Sequence, residues 1–271
     1  MTPQERKRVL QAFHRALQDR PLDPADADDA KRYVRELHVS RREAGLEIDP
    51  VARLAAQIER EAGSRVWLFT GNIGSGKSTE LRRLRQSLRE SPENVVFLTD
   101  AADYINLNQK IEIADFLISV TAAFAEQAGG MLGDDVIARG YWERIVDFLR
   151  NTAIEIREVS AGAGAEANVP GVARFSFKGD LKAALIRDPV VKERIQKQLR
   201  GHLAALAQEL ELFRGQILDR LRSRFGNDIK VVLVIDSLER LRGTGDANDD
   251  VFSSVRTMFS QYPDMLRLAE L

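Results

Sequence analysis

The chain has 271 residues, enough for one large domain or two small ones, and its 44% hydrophobic content is sufficient to bury a core. Cysteine is absent, which excludes disulfides, thiolate metal sites and cysteine nucleophiles, and His14, His38 and His202 show no metal-ligand spacing. Charged residues reach 30% but the net charge is only −1, so nucleic acid is not favoured as a partner, although a local basic face would permit it.

Residues 2–20 predict a first helix: Thr2 and Glu5 have capping-box spacing, Pro3 falls at the first helical position, and Val9, Phe13 and Leu17 recur every four residues. This amphipathic start differs from the apolar core of a signal peptide, and no apolar run approaches the length of a membrane span. The chain is therefore expected to be cytoplasmic, with no membrane partner. PLDPAD at 21–26 is a breaker, followed by a short helical stretch with Tyr33, Val34 and Leu37 on one side. Asp49-Pro50 starts another helix, with Val51, Leu54, Ala55 and Ile58 facing inward.

Three apolar runs, VWLF at 66–69, VVFL at 95–98 and VVLVI at 231–235, read as buried parallel strands. Helical patterns lie between them, the βαβ signature of an α/β fold. About 130 residues separate the second run from the third, far more than one crossover helix needs. This insertion carries helical patterns near 110–128 and 140–158, a loop-forming composition at 160–171 and a short strand pattern at 172–177. Asp188-Pro189 then caps a helix expected to run to about Phe225, with Gly226 and Asn227 as its stop. From Val191 to Phe225 it bears an apolar stripe roughly 50 Å long at 1.5 Å per residue. The stripe either packs within the chain or forms in part a surface for self-association.

The first apolar run leads into Gly71, Asn72, Ile73, Gly74, Ser75, Gly76, Lys77, Ser78 and Thr79, which fits G-x-x-x-x-G-K-[ST] without a mismatch. Strand, loop and helix follow in the order that a phosphate-binding loop requires. Glycines admit close approach of the backbone to phosphate oxygens, and the helix N-terminus then faces the anion. Lys77 is the residue expected to reach the β- and γ-phosphates, and the Ser78 hydroxyl the one to ligate Mg²⁺. In the following helix Leu81, Leu84 and Leu88 point inward, leaving Arg82, Arg83, Arg85 and Arg89 on an outer face, solvated or basic enough to meet a polyanion.

The third run ends in Asp236, with Glu239 three residues on. A carboxylate at a strand's C-terminal end is placed to hold Mg²⁺ opposite Ser78, and Glu239 is a candidate general base for water; its structural alternative is pairing with Arg240 or Arg242. Asp100 and Asp103, after the second run, either approach the same sheet edge or cap the next turn. Arg240, Arg242 and Arg256 are each candidates for an arginine finger.

At these residues the chain resembles AAA+/STAND-type bacterial P-loop ATPases, in which a segment of the form LFTGNIGSGKSTELRRL precedes a distant VVLVIDSLERL. The likeness extends to VVFLTDAADYINLNQKIEIADFLISV and to the lead-in ending DPVARLAAQIE, and covers about residues 20–260. It implies an α/β P-loop fold with a parallel-sheet core: an N-terminal helical segment at 1–48, then an ATPase domain at 49–271 with a helical insertion at about 129–228. It also implies ATP and Mg²⁺ as ligands, switching between ADP- and ATP-bound states, homo-oligomerisation, and an effector protein or fused effector domain, often in bacterial defence or signalling. Such ATPases have a further strand between the loop strand and the acidic strand, and none is legible before Leu271; residues 1–271 are therefore expected to be the N-terminal part of a longer protein. Two other readings stand beside this one. A nucleotide-binding scaffold with little hydrolysis would keep Lys77, Ser78 and Asp236. The loop GNIGSGKST also resembles that of deoxynucleoside kinases, although no acid–arginine pair follows Leu98.

Overall fold

The computed structural model describes residues 2–17, 20–33, 40–43, 46–72, 74–161, 178–241 and 247–266. The first helix, α1 (Pro3–Leu17), begins with the expected reciprocal cap: Thr2 N–H donates to Glu5 Oε2 at 2.6 Å and Glu5 N–H to Thr2 Oγ1 at 3.2 Å. A single turn, α2 (Ala27–Ala30), is capped by Asp26 and is the only helix between residues 20 and 33. Tyr33 lies beyond it, and Val34 and Leu37 lie outside the described residues. A small antiparallel hairpin, β1 (Ser40–Glu43) with β2 (Leu46–Ile48), was not legible, because β1 has no apolar residue and the alternation in β2 spans only three positions. Asp49 caps α3 (Pro50–Arg60) by accepting from the N–H groups of Val51 and Ala52, as its sequence predicts.

Two of the three apolar runs form a parallel pair. In it, β3 (Asn94–Asp100) runs beside β4 (Lys230–Asp236) in continuous register, Val95 opposite Val231 and Asp100 opposite Asp236. Alternation along both strands divides the core. Val96, Leu98, Val232 and Val234 face α3 and α4 (Lys77–Leu88), while Val95, Phe97, Val231 and Leu233 face the helices inserted between the strands. Coverage on both faces is the reason these runs are continuously apolar.

The run at 66–69 departs from the expected third strand. It is not assigned to a sheet, and among the described residues β4 pairs with β3 alone. Trp67 and Phe69 still pack on the α3–α4 side of the core, whereas Leu68 is 63% exposed. A strand is defined by its hydrogen-bonded neighbour, and apolar composition alone does not supply one.

The insertion is helical: α5 (Ile113–Leu132), α6 (Asp135–Ala161), α7 (Lys178–Arg187), α8 (Pro189–Leu199) and α9 (Leu203–Phe225), followed after β4 by α10 (Ala247–Gln261) and α11 (Pro263–Leu266). The loop at 160–171 lies almost wholly, and the strand pattern at 172–177 wholly, outside the described residues. The single long helix expected after Asp188 is two helices. The chain breaks at Arg200-Gly201-His202, where His202 leaves helical geometry (φ −126°, ψ 20°) and its N–H bonds Leu199 O at 2.9 Å. Glycine is the weakest non-proline residue in a helix interior, and the break falls on it. The apolar stripe nevertheless points inward across the break: Ile195, Leu199, Leu206, Leu210, Ile217 and Leu221 are each at most 1% exposed. It packs with α5 and α6 in the main core, which leaves only Phe225 at its far end exposed. Among the described residues no helix is long and apolar enough to cross a membrane.

Candidate functional site

The loop at 71–78 follows the apolar segment 66–69 and runs into α4. Gly74 and Gly76 adopt left-handed φ of 79° and 84°, where an L side chain would be strained. At Gly71 a Cβ would lie 2.9 Å from Ser75 Oγ and 3.4 Å from Lys77 Cγ, a crowding that Ser75 can relieve by turning its hydroxyl. The second glycine of the motif, Gly76, therefore has a geometric cause in its backbone conformation. Gly71, Asn72, Gly74 and Ser75 are exposed; Ile73 lies outside the described residues.

Lys77 opens α4 but is buried, 7% exposed, with its ammonium turned back on the loop. Nζ donates to Gly71 O at 2.9 Å and Asn72 O at 2.8 Å, and lies 3.9 Å from Glu239 Oε1. The Ser78 hydroxyl donates to Asp236 Oδ1 at 3.0 Å, a bond between residues 158 positions apart. Thus the fold brings together the loop lysine, the following serine, the acid that ends β4 and the acid in the turn after it. The N-cap of α4 is Gly76, in left-handed geometry and with no side chain to cap the helix, so backbone N–H groups of its first turn adjoin the loop; Glu80 supplies an acidic side chain in that turn.

Glu239 sits in a short 3₁₀ turn (Leu238–Arg240) and pairs with Lys77; of the partners named for its structural alternative, Arg242 lies outside the described residues. Arg240 and Arg256 are exposed, and Arg242 lies outside the described residues, so none is singled out as a finger. Asp100 does both things expected of it: it stands opposite Asp236 at the end of the strand pair and caps the next turn, accepting from Ala102 N–H at 2.9 Å; Asp103 is exposed in that turn.

Mg²⁺ is the ion implied by this motif. Magnesium characteristically takes one or two protein oxygens and completes its shell with phosphate and water. Ser78 Oγ and the Asp236 carboxylate, already in contact, fit that demand. Among the described residues no group of three or more acidic, histidine or cysteine side chains forms a metal site independent of a phosphate ligand.

One part of the site was missed by sequence reasoning: residues 20–33 are fastened to the first turns of α4. Leu22 N–H donates to Thr79 Oγ1 at 3.1 Å, so Thr79, the last residue counted in the nucleotide-binding loop, is engaged by the N-terminal segment. Arg82 Nη1 donates to Pro21 O at 3.2 Å, and Tyr33 Oη donates to Glu80 Oε1 at 2.8 Å. Arg83 bridges Asp49 and Glu80 from α4, its Nη2 lying 2.7 Å from Asp49 Oδ1 and 2.6 Å from Glu80 Oε2. Arg89 Nη2 donates to Val96 O at 3.0 Å. Of the arginines expected on an outer face, Arg82 and Arg83 are ties within the molecule, Arg89 is exposed while bonding one carbonyl, and Arg85 keeps a buried Nε with no hydrogen-bond partner. The recoverable signal was Asp23, Asp26 and Asp29, spaced for a carboxylate-rich turn; Asp29 closes it by accepting a bidentate pair from Arg20 at 2.6 and 2.7 Å.

These pairs set an acid limit. The Arg83 hydrogen bond holds the Asp49 carboxyl down at about 2, and the Arg20 hydrogen bond does the same for Asp29. Because both folded values lie below the ordinary carboxylate value, their stabilisation is present in full above about pH 5 and is lost as pH falls toward 2. Asp115 acts oppositely, since burial raises its carboxyl. Asp49→Asn is expected to lower stability near neutrality by on the order of 1–2 kcal/mol and to flatten the loss between pH 5 and 2.5, as read by chemical denaturation at each pH.

Compared with protein-family models, with curated proteins and with solved structures, the chain matches none.

Proposed function

We propose that this chain binds a nucleoside triphosphate, ATP, together with Mg²⁺ at the loop 71–78 and the acidic end of β4. The observation that carries the reading is the Ser78–Asp236 hydrogen bond, which joins the end of a phosphate-loop motif to a strand-end carboxylate. Phosphate would draw Lys77 Nζ from the Gly71 and Asn72 carbonyls, since an ammonium binds a polyanion more strongly than two neutral acceptors. Ser78 and Asp236 would hold Mg²⁺, which supplies charge neutralisation across the β- and γ-phosphate oxygens. Hydrolysis follows if water attacks the γ-phosphorus, Glu239 accepts its proton, and the bond to the bridging oxygen breaks, leaving ADP and phosphate.

More particularly, we read the chain as an ATP-driven switch of AAA+/STAND type, cytoplasmic and homo-oligomeric, working on an effector in bacterial defence or signalling. The support is the motif pair and its helical insertion. A second reading, binding with little hydrolysis, is favoured by one contact: Glu239 is engaged with Lys77 rather than held in open solvent. Titration with a non-hydrolysable ATP analogue tests the binding step. Affinity is expected to fall at least tenfold on Mg²⁺ chelation, and Asp236→Asn to lose most of that metal dependence. Binding indifferent to both changes would sink the assignment.

A further inference from the structure

Ser237 carries two unfavourable features at one position, directly between Asp236 and the turn bearing Glu239. It is the only non-glycine residue with positive φ among the described residues (φ 69°, ψ 9°), where glycine would sit without penalty. It is 1% exposed, and its hydroxyl oxygen is buried without a hydrogen-bond partner. A buried, unpaired hydroxyl is destabilising, and so is a left-handed serine.

The backbone around it is well used. Ser237 N–H donates to Asp236 Oδ1 at 2.7 Å, the same oxygen that accepts from Ser78, so that two donors fix this carboxylate. Ser237 O accepts from Arg240 N–H at 3.0 Å, closing the turn that sets Glu239 beside Lys77. Glycine would serve this geometry with no conformational penalty and no orphaned hydroxyl. A serine here has a physical rationale if the hydroxyl gains a partner in another state of the site.

We propose that Ser237 is a positioning residue of the triphosphate site: its hydroxyl hydrogen-bonds the bound assembly and holds the Asp236–Glu239 turn in register with the loop. The partner is an anionic or strongly polarised oxygen, either a phosphate oxygen or a water of the ion's shell. This role rests on the ATP–Mg²⁺ reading above.

The test uses the full chain, with Ser237→Ala and Ser237→Gly beside the wild type. Melting temperature is measured without nucleotide, and affinity is measured for a non-hydrolysable ATP analogue with Mg²⁺. Without nucleotide, Ser237→Gly is expected to melt a few degrees higher, and Ser237→Ala no lower, than the wild type. Both are expected to bind the analogue about tenfold more weakly, the loss typical of one hydrogen bond to a charged group. A purely structural serine would not move stability and affinity in opposite directions. Analogue affinity within twofold of wild type in both variants overturns the proposal and leaves the ATP reading intact. A wild type that does not bind the analogue removes both. Should Ser237→Ala fail to fold, the glycine variant, which relaxes the backbone, decides alone.

Discussion

Lys77→Ala is expected to weaken ATP binding roughly a hundredfold while leaving the chain folded. The lysine is the one side chain that opens α4, faces the loop and carries positive charge into it. Losing a charge-assisted contact to two phosphates removes on the order of 3 kcal/mol, roughly a hundredfold in affinity. The folded state is affected through different atoms. Without nucleotide, Nζ satisfies the Gly71 and Asn72 carbonyls and partly neutralises Glu239, so its removal is expected to cost about 1 kcal/mol. Those carbonyls belong to exposed loop residues and can turn to water, which keeps the effect on stability small. Lys77→Met separates the contributions further: it retains the buried stem, and is expected to melt closer to wild type while binding no better than the alanine variant. Calorimetric titration and thermal melting on the same samples check both halves. Wild-type affinity in either variant would remove the loop from any account of nucleotide binding.

What could be read from the sequence followed the range of the interactions responsible. The caps at Thr2, Asp49 and Asp188 and the left-handed glycines of the loop are decided within a few residues, and each is found as expected. The two-sided burial of β3 and β4 was likewise visible, because only a covered strand is apolar on both faces. The segment 66–69 has the same composition but takes its state from a neighbour, and composition does not report neighbours. The break at Gly201 was hidden by a stripe that continues in phase on both sides of it. Least legible was the attachment of residues 20–33 to α4. Leu22 and Thr79 are 57 positions apart, and nothing at either end advertises the other. Arg82 and Arg83 of α4 are instructive in the same way: sequence placed them outside, and the fold supplied a carbonyl and carboxylates to meet them.

Glu239→Gln is expected to lower ATP turnover by 10²- to 10⁴-fold while raising ATP affinity a few-fold. The first effect is that of deleting a general base, since an amide accepts no proton from attacking water. The second follows from the geometry without ligand. Glu239 Oε1 lies 3.9 Å from Lys77 Nζ, and an incoming γ-phosphate must compete with that carboxylate for the ammonium. It must also approach a negative charge that is only 29% exposed and hence incompletely screened. Glutamine keeps the shape and removes both obstacles. The pairing of slower hydrolysis with tighter binding is diagnostic, because a generally damaged site would lose both. Single-turnover hydrolysis and equilibrium titration of the same variant read the two quantities separately. Turnover unchanged beside tighter binding would leave Glu239 as the counter-ion of Lys77 alone and give the general-base role to another group. Turnover that is negligible already in the wild type, with the same gain in affinity, would favour the binding scaffold, in which Glu239 regulates occupancy of the loop and does no chemistry.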